Sequence, residues 1–153
     1  MTTSENISIH LTPELRLEQA LIQAGVKDPA SVTGLSFTGM LTEDDFLYIR
    51  KKMGTTLQEL DISNASVEED EILKHTFFNC TGLISIHIPD TIYWIIDDMF
   101  NTCNNLKTIT IHPDNPNYSS DNGLLFNKDK NVLLFCPRGR EGDFTVPDGV
   151  VHI

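Results

Sequence analysis

Phe77-Phe78-Asn79-Cys80-Thr81-Gly82-Leu83-Ile84-Ser85-Ile86-His87-Ile88 is followed, at an offset of 23 residues, by Phe100-Asn101-Thr102-Cys103-Asn104-Asn105-Leu106-Lys107-Thr108-Ile109-Thr110-Ile111. The match falls on Phe77/Phe100, Cys80/Cys103, Leu83/Leu106, Ile86/Ile109 and Ile88/Ile111. A fixed period in the twenties marks an array of short repeats, each a strand plus a turn or short helix. Ile86 and Ile88 alternate with Ser85 and His87, so they share one face of a strand. One such coil cannot bury that face alone. Stacked coils lay equivalent apolar residues over one another and build a continuous core.

The motif Phe-x-x-Cys-x-x-Leu-x-x-Ile-x-Ile, closed in its first copy by Pro89, resembles the BspA-like class of leucine-rich repeats. Leu57-Gln58-Glu59-Leu60-Asp61-Ile62 repeats the Leu-x-x-Ile-x-Ile phase at an offset of 26, with Leu60 in the middle slot. The resemblance implies an α/β leucine-rich-repeat solenoid. It also implies a binding module of a cell-surface or secreted protein, since the class is known mainly from bacterial surface proteins and some parasitic protists.

Outward from this centre, the phase breaks after Ile111. The next matching strand is Phe144-Thr145-Val146-Pro147, and Val146 lies 35 residues beyond Ile111. The intervening stretch holds a turn cluster, Pro113-Asp114-Asn115-Pro116-Asn117. Two short apolar runs follow, Gly123-Leu124-Leu125-Phe126 and Val132-Leu133-Leu134-Phe135. The polar Asn127 to Asn131 between them predicts a β-hairpin insertion with its tip near Lys128 to Asn131. Val146 to Ile153 echoes Ile88 to Ile95 at an offset of 58.

Towards the N-terminus, Thr12-Pro13 predicts a helix start, with Thr12 as N-cap and Pro13 in the first turn. Leu15, Leu17, Ala20, Leu21 and Ala24 form its apolar stripe, and Gly25 its stop. Such a helix would cover the open end of the stack, which repeat arrays must close. Ser31 to Phe37 predicts the first strand. Thr42 then caps a second helix, with Glu43, Asp44 and Asp45 at its positive end, Phe46, Leu47, Ile49 and Met53 inward, and Gly54 at its stop. The expected organisation is a capping region over residues 1–56, with the first strand and helices. Repeats follow over 57–153, with the hairpin insertion at about 113–143.

A chain of 153 residues that is 40% hydrophobic and 22% charged has the composition of one ordinary globular domain. Its net charge of −11 opposes nucleic-acid binding, which needs clustered Lys and Arg, and opposes an anionic membrane surface. No apolar run is long enough to insert in a membrane. Met1 to His10 lacks the basic-then-apolar plan of a secretory signal.

Catalytic chemistry has no constellation here. P-loop, dinucleotide and nucleophile-elbow motifs are absent, as are cysteine pairs at metal-ligand spacing, and no cofactor is implied. The acidic run Glu68-Glu69-Asp70-Glu71 reads as a solvated loop. Cys80 and Cys103 hold equivalent positions on adjacent coils and read as buried, reduced thiols, because parallel inward vectors do not suit a disulfide.

The candidate binding residues are therefore the outward strand positions Ser85, His87, Lys107, Thr108 and Thr110. Tyr93 and Trp94 join them as aromatics beside the Ile92/Ile95 core phase. Half-buried packing against the next coil is the favoured reading of that pair, and full exposure would make them anchors. The expected function is non-catalytic binding by a monomer of a protein or glycan macromolecule, such as a host extracellular-matrix protein, at the cell surface or outside the cell. A structural spacer presenting another domain is the alternative, and an enzyme a weak third.

Overall fold

The computed structural model describes residues 5–72, 75–95 and 98–153. Residues 1–4 of the polar N-terminal stretch lie outside the described residues. The chain is mixed α/β, with a mostly parallel open sheet and few helices. In order it forms β1 (Glu5–His10), α1 (Leu17–Gln23), β2 (Val32–Leu41), α2 (Glu43–Met53), β3 (Glu59–Val67) and β4 (Glu71–Ile72). Then come β5 (Ser85–Ile88), β6 (Trp94–Ile95), β7 (Thr108–Ile111), β8 (Tyr118–Asp121), β9 (Leu124–Asn127) and β10 (Leu133–Phe135).

The main sheet has the order β1-β2-β3-β5-β7, with every pair parallel. Its register places Ile7, Leu35, Leu60, Ile86 and Ile109 in one row across all the strands. The two offsets read from the sequence, 26 between Leu60 and Ile86 and 23 between Ile86 and Ile109, are thus the sheet's own register. Leu83, Ile86, Ile88, Leu106, Ile109 and Ile111 are all buried, whereas Ser85 and Thr108 are half-buried and Thr110 is exposed. Replacing Ile109 by Ala should therefore cost about 2–5 kcal/mol, the range for a truncated core side chain. Thr108→Ala should cost under about 0.5 kcal/mol. Equal shifts of the urea midpoint would mean that the strand phase is inverted.

A column of rings runs from α2 through Phe77 and Phe100 to β10. Phe46 meets Phe77 edge-on at 5.7 Å, Phe77 stacks on Phe100 at 5.5 Å with planes 7° apart, and Phe100 meets Phe135 at 5.5 Å. Aromatic pairs at these separations add to simple area burial. Cys80 and Cys103 are free and buried. Burial pushes both thiols up to about 12, with the neighbouring Cys80 adding to the rise at Cys103. Both therefore stay protonated and unreactive near neutral pH.

Several expectations need correction. The first strand is not Ser31 to Phe37 but β1, which occupies the edge of the sheet. The alternation Asn6-Ile7-Ser8-Ile9-His10-Leu11 carries it, with Ile9 and Leu11 buried. The first helix starts at Leu17 rather than after Thr12. Thr12 closes a tight turn with Leu15 instead, through backbone bonds of 3.2 and 3.1 Å. The Leu17 N–H donates to Asp45 Oδ1 of α2, at 3.2 Å, so tertiary structure sets this helix's start. Ala24 is exposed, and Leu15 and Leu47 are only partly buried.

The insertion forms an antiparallel hairpin as read, β9 pairing with β10, with Lys128, Asp129 and Lys130 exposed at its tip. It gains a third strand, since β8, just past the turn cluster at 113–117, pairs antiparallel with β9. The insertion also covers the outer edge of β7. The Ile109 N–H donates to Gly123 O at 3.0 Å and the Ile111 N–H to Ser120 Oγ at 2.9 Å. Gly139 N donates to Leu106 O at 2.8 Å, in a contact so close that a β-carbon at Gly139 would sit 2.4 Å from the Asn105 backbone. Phe144 to Pro147 consequently forms no strand, because the edge it would join has its donors engaged. The final residues run beside β10 instead, with Leu133 N donating to His152 O at 3.0 Å and Val150 packing on the small Leu124–Phe126–Leu133 core.

Candidate binding surface

The side chains that alternate with the buried row face outward across the sheet. One row runs Asn6, Gly34, Glu59, Ser85 and Thr108, and the next runs Ser8, Ser36, Asp61, His87 and Thr110. His10, Thr38 and Asn64 begin a third row. Each of these residues except Gly34 keeps part of its surface in solvent. The rows are cross-linked: Ser8 Oγ and Ser36 Oγ lie 2.9 Å apart, and His10 Nδ1 and Thr38 Oγ1 2.8 Å apart. His87 Nε2 lies 3.4 Å from Glu59 Oε1 on the neighbouring strand. Asp61 Oδ1 accepts from Ser63 N at 2.9 Å.

Short polar side chains leave the backbone ridges close to the surface, so the face is shallowly furrowed. Two shallow grooves of about 180 and 290 Å³ run between β1, β2 and β3. They are lined by Asn6, Ser8, Ser36, Thr38, Glu59 and Asp61 among others. The expected contact residues Ser85, His87, Thr108 and Thr110 lie at the other side of this same face. Lys107 stands just before β7, its ammonium 3.8 Å from Glu141. Sequence reading missed the half of the face on β1 to β3, although the alternation in residues 6–11 and the polar Ser36 and Asp61 between apolar neighbours carried the signal.

Tyr93 and Trp94 do not join that face. Trp94 belongs to the separate β4–β6 ladder, opposite Glu71, and Ile95 pairs with Ile72 beneath it. The favoured expectation of half-buried packing is corrected here: Tyr93 is 64% and Trp94 56% exposed. Ile92 and Ile95 already fill the inward positions, so the core has no place left for either ring.

Among the described residues, no group of three or more His, Cys, Asp and Glu side chains is arranged to hold a metal ion. No described helix is long and apolar enough to cross a membrane.

A family model described as a BspA type leucine rich repeat region (6 copies) matches residues 52–131. A solved leucine-rich repeat protein from Eubacterium ventriosum is similar at 18% identity and a TM-score of 0.49, over 82% of this chain. The chain spans 44% of that protein's length. No curated protein matches the sequence.

Proposed function

Because the chain belongs to the BspA-type leucine-rich-repeat family, we propose that it is a non-catalytic binding module whose outward sheet face grips an extended macromolecule. In this reading residues 57–153 are the repeats of a solenoid and residues 1–56 its capping region. The module acts at the cell surface or outside the cell, as a monomer, on a protein or glycan such as an extracellular-matrix component. The observation that carries the reading is the face itself. Five parallel strands present in-register rows of short polar side chains that remain in contact with solvent. Buried side chains behind it hold the strands fixed, so a ligand meets a preorganised surface and little ordering cost opposes binding. Repeat arrays commonly use such surfaces for extended contacts.

A binding screen of the purified chain against matrix proteins and glycans tests this. Each hit is then measured with His87→Glu and with Lys107→Glu. Both changes add negative charge to the face and should weaken binding by about 5- to 30-fold, as for residues inside an interface. Unchanged affinity in both variants would place the contact elsewhere. Absence of any partner would favour a spacer role, and turnover of a small substrate would overturn the reading.

A further inference from the structure

A second docking surface sits on the β4–β6 ladder. Trp94 and Glu71 are direct in-register partners in a parallel pair, so their side chains share one face about 5 Å apart. Beside them Tyr93 N donates to Asp70 O at 2.8 Å. Tyr93 is held from the other side as well, since Asn117 Nδ2 donates to its carbonyl at 2.8 Å. Both rings are thus mounted on fixed backbone while more than half of each stays in water.

The repeat does not require aromatics here. At the offset of 23 residues the equivalent pairs are Asp70-Glu71 before and Pro116-Asn117 after. The core residue of the position is the buried Ile72 or Ile95. Two adjacent exposed rings therefore bring no burial to the fold. Grouped exposed apolar surface of this kind on a soluble protein marks a contact site.

We propose that Tyr93 and Trp94, with Asp70 and Glu71 beside them, dock an Arg- or Lys-bearing segment of a protein partner. The chemistry of the neighbours selects the occupant. Glu68, Glu69, Asp70 and Glu71 are all exposed, and no ion pair among the described residues engages them. Aromatic faces attract guanidinium and ammonium groups, and carboxylates hold the same groups by charge-assisted hydrogen bonds. A cation seated over Trp94 satisfies both, whereas an acidic segment would meet repulsion from the run and from a chain of net charge −11. This surface is independent of the sheet face, so either can fail without the other.

Trp94 is the single tryptophan of the chain, so its fluorescence reports this site alone. The full chain is titrated with a synthetic Arg-Gly repeat peptide, a Glu-Gly repeat peptide and a neutral oligosaccharide. The Arg-Gly peptide should give a saturable change in Trp94 emission that added salt weakens. Glu71→Gln, Asp70→Asn and Tyr93→Ala should each weaken it by about 3- to 30-fold, the range expected for losing one cation–aromatic or charge-assisted contact. Glu14→Gln, which removes an exposed charge far along the chain, should leave it unchanged. Thermal unfolding at the wild-type temperature certifies each variant as folded. No saturable change, an equal loss in Glu14→Gln, or a response to the oligosaccharide but not the Arg-Gly peptide would each overturn the proposal.

Discussion

Replacing Asn115 by Ala should lower the unfolding free energy by about 3–5 kcal/mol, as much as truncating a large, fully buried core side chain. Asn115 is fully buried. Its Nδ2 donates to Pro89 O and to Ile92 O, each at 3.0 Å, and its Oδ1 accepts from Asn117 N at 3.0 Å and Tyr118 N at 2.9 Å. One amide therefore satisfies two carbonyls of the preceding coil and two N–H groups of the turn that leads into β8. At the repeat offset Asn115 stands where Ile92 stands in the coil before, so a polar group fills an apolar slot and the fold has built partners around it. Ala would leave those four backbone groups without partners in a dry site, and each orphaned group costs on the order of 1–3 kcal/mol before relaxation. Asn117→Ala is the control. It removes one hydrogen bond from a half-buried side chain and should cost about 1 kcal/mol. Urea titrations give both values. If Asn115→Ala costs no more than Asn117→Ala, the amide is not the clip described here.

The second large effect is expected at Asp45, whose side chain is 3% exposed. It pairs with Arg16 and accepts from Leu17 N at 3.2 Å, Thr42 N at 2.9 Å and Thr42 Oγ1 at 3.0 Å. The carboxylate completes a capping box at the start of α2 and at the same time supplies an acceptor to the first N–H of α1. Asp45→Ala should cost about 3 kcal/mol, set by the two orphaned N–H groups and the unpaired guanidinium. Arg16 is about one-third exposed and can turn to water, which keeps the loss at the lower end of the range for buried pairs. Arg16→Ala should accordingly cost less than Asp45→Ala, because Leu17 and Thr42 keep their acceptor. Hydrogen exchange provides a local readout: the Leu17 amide should lose protection in Asp45→Ala and retain it in Arg16→Ala. Equal protection in both variants would separate α1 from this carboxylate.

These two residues also mark the boundary of what the sequence can carry. Repeat phase was legible because it is a one-dimensional property: Leu83, Ile86 and Ile88 recur as Leu106, Ile109 and Ile111, and the parallel register follows the recurrence. The strand alternation that buries those residues also turned Ser85, Thr108 and Thr110 outward, so that part of the candidate surface could be named from spacing alone. The repeated motif likewise sufficed for the family, and two apolar runs around a polar loop for the antiparallel hairpin between Leu124 and Phe135.

Other features depend on which segment arrives beside which. Asn115 read as a turn residue, and its Oδ1 does close a local turn on Asn117 N and Tyr118 N, but the two carbonyls that its Nδ2 reaches lie in the repeat before, and only the packing of one repeat on the next brings them to it. The start of α1 was misplaced because Thr12-Pro13 is a sound local signal that a hydrogen bond from Leu17 to Asp45 overrides. Phe144 to Pro147 keeps the repeat phase in its residues yet forms no strand, since the insertion had already taken the Ile109 and Ile111 donors. Local pattern fixes which side of a strand is apolar. Whether a given edge donor, a buried carboxylate or a ring such as Trp94 finds a partner is decided by distance in space, and that information exists only once the chain has folded.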